Sequence, residues 1–423
     1  MRQIYSIIIG LYYLSLRLGS LFNQKAKDWF YGRRELFKKL DEVFTTHYSN
    51  ENPSPVIWIH CASLGEYEQG RPVIHELKKR FPGFTILLTF FSPSGFNNKS
   101  QNSEADYVFY LPIDSRRNAR RFVKTVAPSM AIFVKYEFWF NYLNELFINK
   151  VPTYTVSAIF RPEQHFFKWY GGWFRNHLRK LNKIFVQDEE SAELLNMIDV
   201  NNTVICGDTR FDRVSGIMQQ QIPLPVIESF LGPGKILVAG STWPADEELL
   251  KDLSKSINGT FKMIIAPHEV NTHHISELIA RFGNEAILYS QVVTSEAADK
   301  KVLIIDTIGI LSQIYRYADI AYIGGGFGVG IHNTLEAAVY GVPVIFGPNY
   351  QRFREAKELI AYNGALSIKD SQELIREVNS FIESPDRLEI FALAAGQYVR
   401  DRTGATEKIM TEIENYIANV ISQ

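Results

Sequence analysis

A glycine-rich segment and the polar residues after it have the types and spacing most suggestive of chemistry. Five glycines between residues 324 and 330 follow the strand-like run 320–323 and precede a predicted helix that ends near Gly341. A glycine-rich turn that opens a helix presents free backbone N–H groups at the positive end of the helix dipole, which suits a phosphate. Glu336, in the first turn, could accept hydrogen bonds from ribose hydroxyls. The segment predicts a nucleotide-linked donor, and its spacing fits neither the dinucleotide fingerprint nor the P-loop.

Two glutamates and one arginine are the candidates for catalysis. Glu66 closes the sequence Ser-Leu-Gly-Glu directly after the first predicted strand, where a carboxylate can act as a general base on an incoming hydroxyl. Ser-x-x-Glu is also a capping box, which is the alternative interpretation. Glu137 follows the fourth predicted strand, and Arg210 could stabilise a departing phosphate or form a structural salt bridge.

Further polar residues follow strands in the second half of the chain. Ser241 and Thr242 follow one strand, Pro267 and His268 end the next, and residues 308–310 come after another. All are strand-to-helix junctions, so they are predicted to line one site. His268 is interpreted as a contact to a base or phosphate, with a structural histidine as the alternative. Because the chain has no Asp-x-Asp sequence and no zinc-spaced Cys/His cluster, we expect no metal ion.

The elements that must position these residues alternate between strand-like and helix-like segments. This alternation predicts α/β architecture with doubly wound parallel sheets. The predicted strands are 56–61, 85–90, 107–111, 130–134, 153–156, 184–186, 236–239, 263–266, 286–288, 302–305, 320–323 and 344–346. Residues beyond Asp370 are predicted to be helical.

Length and charge support two domains. The chain has 423 residues, and its net charge of −1 divides into +7 for residues 1–206 and −8 for the remainder. The predicted divisions are a membrane-association segment at 1–40, Rossmann-like domains at 41–215 and 233–400 that form a cleft, a linker at 216–232 and a C-terminal helix at 401–423. Two cysteines imply no disulfide framework and favour a reducing compartment.

The N-terminal segment is apolar from Ile4 to Leu16, with basic residues following. Thirteen residues are too few for a bilayer span of ~20 residues, and the pattern favours a cytoplasm-facing anchor. A buried core helix and a signal peptide are the alternatives. Basic residues also cluster at 116–124 and, among aromatic residues, at 161–180; these suit a phosphorylated lipid or a membrane surface rather than nucleic acid.

Together these motifs resemble those of the bacterial 3-deoxy-D-manno-octulosonic acid (Kdo) transferases of lipid A assembly. The resemblance covers most of the chain, including the N-terminal anchor. Its motifs are the segments 63–66, 137–139, 207–212, 240–242, 306–309, 332–336, 341–348 and 353–355.

The resemblance implies a GT-B fold and an inverting, metal-independent glycosyltransferase without a cofactor, at the cytoplasmic face of the inner membrane. It implies CMP-Kdo as the donor and a lipid A precursor, the tetraacyldisaccharide 4′-phosphate, as the acceptor. Glu66 matches the proton acceptor, while Glu137 and Arg210 match positions that support the transition state. The positions implied to bind CMP-Kdo are Ser241, Thr242, Pro267, His268, Ile308, Gly309, Ile310, Asn333, Thr334, Leu335 and Glu336.

Two other functions fit the same residues. One is a GT-B enzyme that uses a different nucleotide sugar, and the other is a membrane-tethered binder of sugar nucleotides without activity. A donor screen separates the first from Kdo transfer, and binding without turnover identifies the second.

Overall fold

A computed structural model describes residues 1–100, 103–220, 222–257, 261–292 and 299–421. The chain divides into two compact units. The first contains residues 1–213 together with the described residues from Gly404 onward, and the second contains the described part of Val214–Thr403.

In the first unit, the described residues form a sheet of seven parallel strands in the order β3-β2-β1-β4-β5-β6-β7. The strands are β1 Val56–Cys61, β2 Thr85–Phe90, β3 Tyr107–Tyr110, β4 Met130–Val134, β5 Thr153–Ala158, β6 Lys183–Val186 and β7 Thr203–Ile205. The helices are α1 Arg2–Gly19, α2 Gln24–Tyr31, α3 Leu36–Tyr48, α4 Leu64–Arg80, α5 Pro93–Lys99, α6 Arg116–Val126, α7 Phe140–Ile148, α8 Gly172–Leu178 and α9 Glu189–Asn196. Most residues of the strands are buried, because helices cover both faces of a parallel sheet.

In the second unit, the described strands form a parallel sheet in the order β10-β11-β9-β8-β12-β13-β14. They are β8 Ile236–Thr242, β9 Lys262–Pro267, β10 Ala286–Leu288, β11 Val302–Ile304, β12 Ile320–Ile323, β13 Val344–Phe346 and β14 Ala365–Ser367. The helices from the junction of the units onward are α10 Thr209–Gln219, α11 Pro225–Phe230, α12 Pro244–Ser256, α13 Thr272–Phe282, α14 Leu311–Ile314, α15 Leu335–Ala338, α16 Arg354–Ala361, α17 Ser371–Glu383, α18 Pro385–Arg400 and α19 Ala405–Ile421. The predicted α/β architecture with two parallel sheets is therefore confirmed.

The residues predicted to be a linker, 216–232, are largely helical where they are described. They contain the end of α10 and all of α11. Pro225 lies in the first turn of α11, where proline starts a helix without losing a hydrogen bond. Proline and glycine in this stretch therefore mark helix ends rather than an extended connection.

The N-terminal helix α1 packs on the first unit mainly through its first turns. Tyr5 donates a 2.6 Å hydrogen bond to the buried carboxylate of Asp114, and its ring contacts Phe140 edge-on at 5.2 Å. Most apolar side chains of α1 are nevertheless exposed. None of the described helices is alone long and apolar enough to cross a bilayer; α1 and α2 together meet that test, but the pair is bent by 118°.

Candidate active site

The two candidate glutamates lie where the first sheet changes its direction of winding. Strands β1 and β4 are hydrogen-bonded neighbours, with β2 on the far side of β1 and β5 on the far side of β4. Glu66 follows β1 and Glu137 follows β4, so both come after the carboxyl ends of these central strands. Ligands of open α/β sheets bind at this switch point.

Glu66 is held at the N-terminus of α4. Its Oε2 accepts the backbone N–H of Ser63 at 3.0 Å, and the residue is 9% exposed. The capping role considered from the sequence is therefore real. Burial raises the pKa of Glu66, although backbone N–H groups of Ala62 and Ser63 and the charge of Lys135 act to lower it. Desolvation has the larger effect, so the pKa of Glu66 rises overall.

Glu137 is electrostatically coupled to Glu66. Burial and then the negative charge of Glu66 raise the pKa of Glu137 to about 8, against the opposing charge of Lys135. Two nearby carboxylates in a partly desolvated site do not both ionise readily. At neutral pH the proton of the pair therefore belongs mainly on Glu137. Lys135 itself has a left-handed backbone (φ 69°), which shows how tightly the chain turns after β4.

A buried hydrogen-bond chain supports the loop that carries Glu137. The indole N–H of Trp139 donates to Nε2 of His60 at 3.0 Å, and His60 Nδ1 lies 2.9 Å from the hydroxyl of Thr89. Burial lowers the pKa of His60 to about 3, so its imidazole is neutral. Accepting from the indole requires the proton on Nδ1. The same indole also acts to lower the pKa of Glu137.

Arg210 is held by Asp208 in the first unit. Its guanidinium contacts the Asp208 carboxylate at 2.8 Å, and its backbone N–H donates to the other carboxylate oxygen at 2.9 Å. The hydroxyl of neighbouring Thr209 donates to the backbone oxygen of Gln69 at 2.6 Å, which ties this segment to the helix of Glu66. The salt bridge considered from the sequence exists, and it fixes the orientation of the guanidinium.

In the second unit, the glycine loop follows β12 at the next switch point, beside β8. The N–H of Gly324 donates to the oxygen of Gly240 at 2.9 Å, and a Cβ at Gly324 would collide with the backbone of Ser241. Gly325 and Gly330 have left-handed backbones. The loop needs glycine both for close approach and for its turns.

The polar residues after the glycine loop organise a very short helix. Asn333 accepts the N–H of Leu335 at 3.1 Å and donates to Glu336 at 3.1 Å. The side chains of Thr334 and Leu335, two predicted donor-binding residues, are buried. The predicted helix reaching Gly341 is wrong in length: α15 ends at Ala338.

Three aromatic rings stack beside this loop. The His268 ring stacks on both Trp243 and His332, with ring centroids 4.7 and 4.4 Å away. The indole N–H of Trp243 donates to His332 Nε2 at 3.1 Å. Burial first, and then His268, lower the pKa of His332 to about 4, so it is neutral. Trp243 and His332 were not among the residues predicted to bind CMP-Kdo, although His332 opens the 332–336 motif and Trp243 directly follows the 240–242 motif.

The other predicted donor contacts differ in accessibility. Thr242 and Pro267 are buried, and the Thr242 hydroxyl lies 3.2 Å from Glu247. Ser241 is half-buried with a left-handed backbone (φ 52°). In the turn after β11, Ile308 and Gly309 are exposed and Ile310 is half-buried.

Comparison with known proteins finds one family of similar enzymes. A protein-family model described as 3-Deoxy-D-manno-octulosonic-acid transferase (kdotransferase) matches residues 37–213. The chain is 28% identical to the 3-deoxy-D-manno-octulosonic acid transferase of Aquifex aeolicus, over 81% of this chain and 90% of that protein. It is 26% identical to the one of Rickettsia felis, over 92% of this chain and 85% of that protein.

Among solved structures, the UDP-GlcNAc 2-epimerase of Neisseria meningitidis bound to UDP-GlcNAc is similar in fold. Its TM-score is 0.60 at 17% identity, covering 85% of this chain and all of that one. The fold is GT-B, with two Rossmann-like units. The family model and the relatives above, at 26–28% identity over most of the chain, together support a 3-deoxy-D-manno-octulosonic acid (Kdo) transferase.

Proposed function

We propose that this protein transfers Kdo from CMP-Kdo to a lipid A precursor, the tetraacyldisaccharide 4′-phosphate, with inversion at the anomeric carbon. The observation that carries the proposal is the coupled pair of Glu66 and Glu137 at the switch point of the first sheet. The similarity to Kdo transferases supports Kdo as the transferred sugar. The pair supports catalysis over mere binding, because two electrostatically interacting acids with different pKa values can supply a carboxylate and a carboxylic acid to one reaction.

In the proposed reaction, Glu66 removes the proton of the acceptor hydroxyl as its oxygen attacks the anomeric carbon of Kdo. The bond from that carbon to the phosphate oxygen breaks on the opposite face, and CMP leaves with the bonding electrons. General-base assistance typically contributes ~10²–10⁴-fold. Protonated Glu137 can donate a hydrogen bond to a reacting oxygen without repelling the carboxylate of Kdo.

The second requirement of the reaction is that the charge on the leaving group be stabilised. CMP leaves as a phosphate monoester, which carries less charge than a nucleoside diphosphate. Backbone N–H groups of the glycine loop and the fixed charge of Arg210 would stabilise it. The mechanism therefore needs no metal ion, while Glu336 would bind the ribose and His268 the base or phosphate.

The N-terminal segment supports an acceptor that lies in a membrane. Helix α1 exposes a row of apolar side chains. Helix α6, which carries four arginines and a lysine, begins two residues after Asp114, the residue that Tyr5 of α1 contacts. Such a combination favours binding to a bilayer with anionic headgroups. We infer that the protein works at the cytoplasmic face of the inner membrane and does not bind nucleic acid.

In residues 161–180, where basic residues lie among aromatic ones, only part of the surface is suited to membrane contact. Phe166 is buried, whereas Trp169 is 93% exposed and neighbouring Tyr170 is exposed as well. The membrane contact proposed for residues 161–180 therefore narrows to Trp169 and Tyr170.

The test is Kdo transfer by the purified full-length protein in phospholipid vesicles containing the tetraacylated acceptor. With CMP-Kdo, mass spectrometry should show the acceptor with added Kdo, and Glu66→Gln should lower the rate by at least about 100-fold while CMP still binds. Glu76→Gln, on the same helix, is the matched control and should remain active.

The alternatives give different results in that assay. Transfer from UDP-sugars but not from CMP-Kdo would contradict the proposed donor. Tight CMP-Kdo binding without any product would favour a non-catalytic binder. An active Glu66→Gln variant would eliminate Glu66 as the base.

A further inference from the structure

Arg33, just after α2, joins the N-terminal helices to two loops of the first sheet. Its guanidinium donates to the backbone oxygens of Leu111 at 3.0 Å, Trp29 at 2.9 Å and Phe91 at 2.5 Å. Leu111 follows β3 and Phe91 follows β2, so one side chain connects α2 with two strand ends.

The surroundings of Arg33 are unusual for a buried charge. Among the residues that the structure describes, no carboxylate lies within salt-bridge distance of it, and burial lowers its pKa to about 9. Instead, the guanidinium lies 3.8 Å from the ring centroid of Trp29 and 4.6 Å from that of Tyr110. A planar fork that donates to several carbonyls while stacking on aromatic rings is a geometry that lysine cannot reproduce.

One route leads from Arg33 to Glu66 through the backbone. Arg33 holds the oxygen of Phe91, and the N–H of the next residue, Ser92, donates to the oxygen of Ala62 at 2.7 Å. Ala62 and Ser63 form the turn whose N–H groups contact Glu66. The position of the Phe91 loop therefore bears directly on the turn that binds the proposed base.

A second route leads to Glu137 through side chains. The Phe91 ring packs on Trp139 with centroids 4.5 Å apart, and Trp139 is the indole that reaches His60 and acts on Glu137. From the N-terminal helices, Trp29 and Tyr12 contact the same Phe91 ring at 5.4 and 6.2 Å.

We propose that Arg33 is a positioning residue for the transfer reaction, through which the N-terminal helices hold the Glu66 turn and the Glu137 loop in their working arrangement. The inference rests on the proposed function of these glutamates. It makes α1 and α2 part of the catalytic architecture, whereas a simple membrane attachment would only raise the local acceptor concentration.

The test compares Arg33→Lys with Arg34→Lys in the full-length protein. Arg34 is the next residue, is exposed, and stacks on the ring of Tyr31. Because both substitutions are to lysine, both variants keep the positive charge. Arg33→Lys should lower kcat by about 10- to 100-fold, because small displacements of catalytic groups are costly. Its vesicle binding and acceptor KM should stay within about twofold of the native protein, and Arg34→Lys should match the native protein throughout.

The pH dependence of kcat distinguishes a positioning role from membrane attachment, because attachment alone would not change it. The titratable groups that face Glu137 are Glu66, Lys135, Cys61, Tyr5 and Tyr12. Since the Trp139 indole lowers the pKa of Glu137, displacing it should shift the alkaline limb of kcat to higher pH. Trp139→Phe keeps a ring but loses the N–H, so it should give the same shift even if Arg33→Lys does not fold.

Several results would overturn the inference. Equal kinetics for the Arg33 and Arg34 variants would contradict it, as would a loss of activity that merely parallels a loss of vesicle binding. The pKa of Glu137 can also be obtained from the pH dependence of unfolding, with Glu137→Gln as reference. If the pKa of Glu137 were the same in Arg33→Lys and Trp139→Phe as in the native protein, the positioning role would be refuted. If both variants shifted that pKa but the native protein were inactive with CMP-Kdo, only the proposed function would be refuted.

Discussion

Two carboxyl groups with one proton between them are the central feature of the site at the scale of residues. Both pKa values are raised by burial, but Glu66 has backbone N–H groups beside it, while Glu137 has the charge of Glu66 against it. The asymmetry assigns the ionised role to Glu66 and the protonated role to Glu137. The charge of Lys135 acts to lower the pKa values of both glutamates.

Replacement of Glu137 by glutamine should change the pH dependence of stability. The folded protein retains this proton up to about pH 8, whereas the unfolded chain releases it above its ordinary pKa of 4.5, so the native free energy of unfolding should fall as pH rises between these values. Glutamine does not ionise, so the Glu137→Gln variant does not lose this stability as pH rises. We expect Glu137→Gln to match the native protein at pH 5 and to be more stable by about 1–3 kcal/mol at pH 8.

Thermal or urea unfolding across pH 5–8 measures this effect. Glu163→Gln, at an exposed position, is the control and should leave the pH dependence unchanged. A Glu137→Gln variant whose difference from the native protein is the same at both pH values would show that Glu137 ionises normally.

The two glutamates were selected from the sequence, but the contacts that surround them were not predicted. Position after a strand was sufficient to select Glu66 and Glu137. Lys135, His60 and Trp139 become relevant only because β1 pairs with both β2 and β4, which brings residues from three strand ends together. Desolvation, which raises the pKa of Glu66, also leaves no pattern in the sequence.

At the scale of secondary-structure elements, strong apolar runs were enough to place most of the strands, including the edge strand β10. Strands β1, β2, β4, β10, β12 and β13 have the predicted bounds. Two strands, β7 and β14, were missed; each has three residues, of which at most one is buried, so the apolar signal is weak. The C-terminal segment after Asp370 is helical as predicted.

The glycine loop allows a sharp test of packing between elements. A Cβ at Gly326 would lie 2.6 Å from the backbone of Gly347, after β13, and neither backbone can yield easily. We expect Gly326→Ala to lower the free energy of unfolding of the second unit by about 1–3 kcal/mol and to weaken CMP binding. Unfolding followed by tryptophan fluorescence, together with calorimetric CMP titration, measures both.

Gly328→Ala is the matched control in the same loop. Its Cβ would have only the oxygen of Gly325 nearby, at 3.9 Å, so it should be tolerated. If both alanine variants were equally stable and bound CMP equally, the close approach of the two glycine backbones would not be required.

At the scale of the whole molecule, the C-terminal helix completes the first unit. Arg80 on α4 pairs with Glu414 at 2.9 Å and also with Glu407, while Asp212 accepts the N–H groups of Gly404 and Thr406 at 2.6 Å. Ile409, Met410, Ile413 and Ile417 join the apolar core beside β1. The sequence predicted this helix but not its partner, because contacts across more than 300 residues leave no local pattern.

The exposed face of α1 leads to the last prediction, which concerns attachment to membranes. Ile8 and Leu11 are 56% and 62% exposed, so replacing them should cost the folded protein little. Burial of such side chains in a bilayer stabilises binding by about 1.5–3 kcal/mol each. We expect Ile8→Ser/Leu11→Ser to reduce binding to vesicles containing anionic lipid by at least about tenfold in co-sedimentation, with an unchanged melting temperature. Ile390→Ser/Leu393→Ser is the matched control, since both residues are 60% exposed with the same spacing on α18 of the second unit. If this control pair lowered binding as much as the α1 pair, or if neither did, α1 would not be the membrane-binding surface.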